Sequence, residues 1–161
     1  VLIRPYTPAD LADVLALNNA NVPEVNELDA DAVARLTAMA ELALVAEVDG
    51  AFAGFCWTFG PGLDYESLNY AWFSARYGDF CYLDRIAVHH DFRRFGVGRG
   101  FYAAVRDAMA GRRPVVLCEV NLRPPNATSL AFHERVGFRE VGQQDTDGGA
   151  KTVCLMEWRL D

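Results

Sequence analysis

What most narrows the folds open to this chain is the succession of patterns in residues 81–120. An apolar strand pattern (CYLDRIAV) is followed by a short link (HHDF), an octet crowded with arginine and glycine (RRFGVGRG), a helical pattern (FYAAVRDAMA) and a second apolar strand pattern (VVLCEV). Strand, helix and strand in series require a crossover connection, so the sheet holds strands that no hairpin joins.

Other segments read as hairpins. LALVAEV and AFAGFCWTF flank Asp49-Gly50, a pair suited to the left-handed angles of a tight type I′ turn. FREVGQQ and TVCLMEWRL form a closing antiparallel pair. VLIRPY is a first strand. TPADLADVLALNN is a helix with Thr7 as cap, Pro8 at its first position and Leu11, Val14, Leu15 and Leu17 as apolar face. DADAVARLTAMAE places Val33, Leu36 and Met39 or Ala40 at helical spacing, and ATSLAFHERV is a further helix. Hairpins together with crossovers predict a mixed sheet with helices on its faces, an α/β or α+β fold.

A length of 161 residues, with 52% hydrophobic and 23% charged, predicts one domain over residues 1–161 that buries a core without disulfides. No run is long enough to span a bilayer, and the start carries no signal-peptide pattern, so a soluble cytoplasmic protein is expected. The first residue, Val1, implies a trimmed start. Cys56, Cys81, Cys118 and Cys154 are widely spaced in strand patterns without any CxxC, which suits small core residues rather than a zinc site or disulfide framework. The formal net charge of −7 argues against nucleic acid as a partner. The arginine octet is therefore a local exception, suited to one compact anion.

That octet sits where a helix begins. The first amides of a helix lack internal partners and the helix dipole favours negative charge there. Gly96 and Gly98 relieve steric limits on the approach, and the arginines add charge at the rim. A Walker A loop would need Gly-Lys-Ser/Thr, and a dinucleotide fingerprint would need GxGxxG directly after the strand; neither is present.

The pattern Arg93-x-x-Gly96-x-Gly98, after LDRIAV and before a helix, resembles the acyl-CoA pyrophosphate loop of the GNAT superfamily of N-acetyltransferases. The stretch from Asn126 through His133 to Gly137-Phe138 is similar to that family's second signature. The resemblance covers nearly the whole chain. It implies a mostly antiparallel mixed sheet, splayed between the fourth and fifth strands and flanked by about four helices. It further implies that acetyl-CoA is the cosubstrate and that no metal is needed. The diphosphate would be held around Arg93, Arg94, Gly96, Val97, Gly98 and Arg99, with the backbone of Ile86, Ala87 and Val88 pairing with the pantetheine arm and Asn126 contacting the cofactor.

Acetyl transfer to an amine needs a neutral amine and a proton for the departing thiolate. Asn126 and His133 are seven residues apart, two helical turns or about 10 Å. His133 stands where the family usually carries the tyrosine that protonates the sulfur; a histidine there can donate, or relay a proton from the amine. Two carboxylates compete as base: Glu119, which is preferred, and Asp84, which shares a strand face with Ile86 and Val88. An ion pair with a neighbouring arginine is the bland alternative for either. Cys118 has no obvious histidine partner and is expected to be inert. His89 and His90, adjacent in a connection, are poor metal ligands and read as a solvated turn.

Residues 60–80 form the least regular segment and carry Tyr65, Tyr70, Trp72, Phe73, Tyr77 and Phe80. These side chains either wall the acceptor site or bury one another, in the core or in a homodimer. Residues 18–29 are the second candidate for the acceptor wall, with Glu24 and Glu27 favouring a cationic amine. The expected activity is N-acetylation of a small-molecule or peptide amine by direct attack in a ternary complex. A non-catalytic acyl-CoA-binding or sensing module is the alternative, and a nucleotide-binding domain a third reading.

Overall fold

The computed structural model describes residues 1–22 and 25–160. Seven strands and five α-helices alternate along it: β1 (Leu2–Pro5), α1 (Leu11–Ala20), α2 (Ala30–Met39), β2 (Leu42–Val48), β3 (Ala51–Phe59), α3 (Leu68–Ser74), β4 (Cys81–Val88), α4 (Val97–Met109), β5 (Val115–Arg123), α5 (Ala127–Val136), β6 (Arg139–Thr146) and β7 (Lys151–Arg159). The sheet order is β1-β2-β3-β4-β5-β7-β6. Its recorded pairings are antiparallel except for β4 with β5, which is parallel. This is the mixed sheet that hairpins with crossovers predict, mostly antiparallel as the family resemblance implies. The chain divides into two compact units, Val1–Phe59 with Leu83–Asp107, and Gly60–Tyr82 with Ala108–Asp161.

In the first unit the β2–β3 hairpin turns through Asp49 (φ 51°) and Gly50 (φ 80°), the left-handed pair that the Asp-Gly signal requires. Thr7 and Pro8 open a 3-10 turn, Pro8–Asp10, and α1 follows from Leu11. Arg4 clamps the Asp10 carboxylate through both terminal nitrogens, at 2.8 and 2.7 Å, and the Thr7 amide donates to it at 2.9 Å. The Arg4 hydrogen bonds hold Asp10 below the usual carboxylate range against the opposing effect of burial. Helix α4 starts at Val97, four residues before the FYAAVRDAMA pattern. The reason is a buried stripe of Val97, Phe101, Tyr102 and Val105 at helical spacing, which draws the octet's second half into the helix.

Gly54 on β3 has a packing role. A Cβ there would lie 2.5 Å from the Ala87 carbonyl oxygen and 3.3 Å from the Phe101 ring, so only glycine admits β4 and α4 this closely. The His89 amide donates to Ala53 O at 2.8 Å, which extends this approach past the end of β4.

In the second unit β4 pairs with β5 at Cys81↔Val116 and Tyr82↔Leu117, while β5 runs antiparallel to β7 with Glu119 opposite Leu155. Residues 60–80, expected to be irregular, contain α3. Ser67 caps it by accepting from the Tyr70 amide at 3.1 Å. This helix raises the expected four to five. Gly142 on β6 accommodates the Trp72 ring, since a Cβ there would come within 2.5 Å of Cζ2.

Candidate active site

The arginine-glycine turn lies in the first unit and faces solvent. Arg93, Arg94, Gly96 and Arg99 are exposed, Gly98 is half-buried and Val97 anchors the turn inside. Among the described residues, the only backbone hydrogen bond donated by an amide between 93 and 99 is Phe95 N–H to Phe92 O, at 3.1 Å; the helix ladder begins with Gly100 N–H to Gly96 O at 2.9 Å. The amides of Arg93, Arg94, Gly96, Val97, Gly98 and Arg99 thus remain available at the positive end of a 13-residue helix. Gly96 adopts φ +75°, and a Cβ on it would meet nothing within 4 Å. Its glycine serves the backbone angle, not close packing.

Ile86, Ala87 and Val88 end β4 in the same unit, each half-buried. Asp84, upstream on that strand, is structurally committed: its Oδ2 accepts from the Trp57 indole at 3.0 Å and lies 3.6 Å from Arg85 Nε. Its ion pair with a neighbouring arginine is the bland reading anticipated from sequence. Arg85 in turn donates to Asn18 Oδ1 at 2.9 Å and to Asn26 O at 3.1 Å, tying β4 to α1 and the connection after it.

Glu119, Asn126 and His133 lie in the second unit. Both Glu119 oxygens are 2.8 Å from the Tyr82 hydroxyl, a partnership that sequence reasoning missed. Cys118 beside it is fully enclosed; burial first, then the Glu119 and Cys154 charges, push its thiol well above its ordinary range, so it stays protonated and unreactive.

Asn126 caps α5, its Oδ1 accepting from the Ser129 amide at 3.2 Å, and is itself exposed. His133 is buried at 6% exposure. Its Nδ1 lies 2.7 Å from the Ser129 carbonyl oxygen and 3.3 Å from Ser129 Oγ. A carbonyl only accepts, so Nδ1 carries hydrogen and Nε2 is the unprotonated nitrogen of the neutral ring. Burial lowers the His133 pKa below its ordinary value, opposed by the Ser129 hydrogen bond. The neutral ring is therefore a proton acceptor at Nε2. It becomes a donor only after taking a second proton. Gly137 (φ +128°) ends α5 and turns the chain so that Phe138 folds back, its ring 5.4 Å from that of His133. The terminal Gly-Phe of the sequence signature thus closes the histidine's pocket.

The acceptor candidates fare differently. Glu24 lies outside the described residues, and Glu27 is exposed. In the 60–80 segment Tyr70, Phe73 and Phe80 are core, at 3%, 0% and 1% exposure, so mutual burial is the reading that holds for these three. Tyr77 donates to the buried Glu157 at 2.6 Å, and Glu157 also receives Arg139 at 2.8 Å and Arg159 at 3.4 Å. Burial, then that hydrogen bond, push the Tyr77 phenol up to about 12. The Glu157 cluster was not foreseen, because its members are scattered through the sequence. His89 and His90 stack at 4.4 Å just before Asp91, with His89 Nδ1 accepting from the Asp91 amide at 3.2 Å. These three could bring metal-ligating atoms together, yet one lone pair is already used. All four cysteines are buried.

The sequence profile of the Acetyltransferase (GNAT) family matches residues 12–138, and the chain belongs to that family. No curated protein sequence matches the chain. Among solved structures it resembles the ribosomal-protein-alanine N-acetyltransferase of Brucella melitensis (TM-score 0.74, 24% identity, covering 99% of each chain). It also resembles the ribosomal-protein-S18-alanine N-acetyltransferase of Escherichia coli (0.74, 20%, covering 99% of this chain and 94% of that one). A third is an aminoglycoside 6′-N-acetyltransferase complexed with coenzyme A (0.76, 15%, covering 100% and 98%). These likenesses establish the fold. The family match makes the protein an acetyltransferase.

Proposed function

We propose that this acetyltransferase moves the acetyl group of acetyl-CoA to a primary amine by direct attack in a ternary complex. The observation that carries the proposal is the set of amides at Arg93, Arg94, Gly96, Val97, Gly98 and Arg99 without a backbone partner, in a largely exposed turn at the start of α4 and inside the family's Arg-x-x-Gly-x-Gly turn. These residues fit a diphosphate: the turn is open, and Arg93, Arg94 and Arg99 add positive charge. When bound, acetyl-CoA supplies an acetyl group activated as a thioester. The backbone of residues 86–88 is assigned to the pantetheine arm and Asn126 to the cofactor. Glu119 is preferred to Asp84 as the base, because Asp84 is occupied by Trp57 and Arg85. Glu119 takes a proton from the ammonium form of the acceptor, directly or through one water. His133 accepts the amine's second proton at Nε2 and returns it to the departing sulfur, the relay role that its tautomer favours over direct donation.

Residues 1–161 are read as one acetyltransferase domain, since the family match runs through both units. The acceptor is a small-molecule or peptide amine. No helix among the described residues is long and apolar enough to cross a membrane, and the same reading places the enzyme in the cytoplasm. For a homodimer, the 60–80 segment offers Leu68, exposed at 61%, as its large apolar side chain.

The test supplies acetyl-CoA with a mixed library of primary amines and follows free thiol. Thiol release is expected, and His133→Ala is expected to slow it at least about tenfold, roughly 1.4 kcal/mol in barrier, with CoA binding retained. CoA binding without thiol release for any amine would instead mark a non-catalytic acyl-CoA module, and ATP or NAD competing with CoA a nucleotide-binding one.

A further inference from the structure

The 60–80 segment leaves a question: why a short helix and six buried or half-buried rings occupy a region with no assigned chemistry. Two of these rings, Tyr70 and Phe73, pack against Tyr82. Tyr82, fully buried on β4, holds its OH 2.8 Å from each Glu119 oxygen, while Glu119 is half-buried. Its ring is held edge-on by Tyr70 and tilted against Phe73, both with centroids 5.7 Å away. Tyr70 is fixed in turn, since its own hydroxyl donates to Gly60 O at 2.7 Å and accepts from the Leu63 amide at 3.1 Å. All of these groups belong to the second unit.

We propose that Tyr82 is a positioning residue for Glu119, and that α3 with its flanking loop acts on the reaction by bracing Tyr82. The inference rests on the reading of Glu119 as proton acceptor. A phenol has one hydrogen, which it shares between two equidistant oxygens. That contact fixes the carboxylate plane. The strand and helix beside β5 carry further groups. Leu155 of β7 lies opposite and is apolar. Cys118 neighbours it on β5 and stays protonated. Glu157, two positions along β7, is paired with Arg139 and Arg159. Helix α5, which packs on β5, brings His133 and Glu134.

The experiment compares pH profiles of kcat/KM for the wild type, Tyr82→Phe and Glu119→Gln, using acetyl-CoA and the best amine from the library. Tyr82→Phe keeps the ring, and CoA binding reports that it folds. A hydrogen bond to a charged group is worth more than one pH unit of preference, so the acid limb should move up by about one unit, with most of the rate regained at higher pH. Titration of the Glu119 carboxyl carbon by 13C NMR without substrates should show the same shift. An unmoved limb and an unmoved carboxyl titration in Tyr82→Phe, with Glu119→Gln inactive, would overturn the role of Tyr82 alone. Wild-type rates in Glu119→Gln would overturn the base assignment and the positioning role with it.

Discussion

At His133 one hydrogen bond decides which ring nitrogen carries the hydrogen. The Ser129 carbonyl fixes hydrogen on Nδ1, and the buried setting, with Phe132 and Phe138 each 5.4 Å away, disfavours a second proton. Linkage gives this a thermodynamic signature. With the folded pKa below the unfolded value near 6.5, the unfolded chain binds more protons in the window below that pH, so stability must fall as pH drops through it. Urea unfolding between pH 8 and 5 should show this loss in the wild type and show it reduced in His133→Gln; parallel curves would contradict a buried neutral ring. Asp10 and Glu157, both held below the usual carboxylate range, lose their contributions on a more acidic window and do not confuse the comparison. The Ser129 partner was legible in principle, being four residues away on a helix. Tyr82 with Glu119 and Trp57 with Asp84 were not, because those partners are 37 and 27 residues apart and meet only through the sheet.

Among the elements, strand pairs announced by a turn or by a crossover were readable. Asp49-Gly50 fixed the β2–β3 hairpin, and the apolar runs at 81–88 and 115–120 marked the strands on either side of the crossover helix. Helix α3 was hidden because seven residues are too few to show a period, and Pro61 with glycines at 60, 62 and 78 gives the segment a loop's composition. The start of α4 was misplaced because its octet contains glycine, a poor helix former, while the buried stripe from Val97 overrides that propensity. The close approach of β3 and β4 gives an element-level prediction. Gly54→Ala must displace the Ala87 carbonyl, and is expected to destabilise the protein by about 1–3 kcal/mol. It should also weaken CoA binding, because Ala87 lies on the strand assigned to pantetheine. An unchanged melting temperature would show that β4 can retreat without cost.

For the whole molecule, an acidic chain of net charge −7 gathers exposed arginines beside amides that lack backbone partners, and the proposal assigns this one place to an anion. Family membership names the chemistry, and the turn is where that chemistry would grip its donor. The acceptor was not legible, since a cleft for an amine is shaped by loops that have no periodic pattern. The most direct test of the account is a backbone amide NMR titration with CoA. The amides of Arg93, Arg94, Gly96, Val97, Gly98 and Arg99 should shift and saturate together with a downfield change that pantetheine, lacking the diphosphate, does not produce. Saturable CoA binding that leaves those six amides unmoved would contradict it.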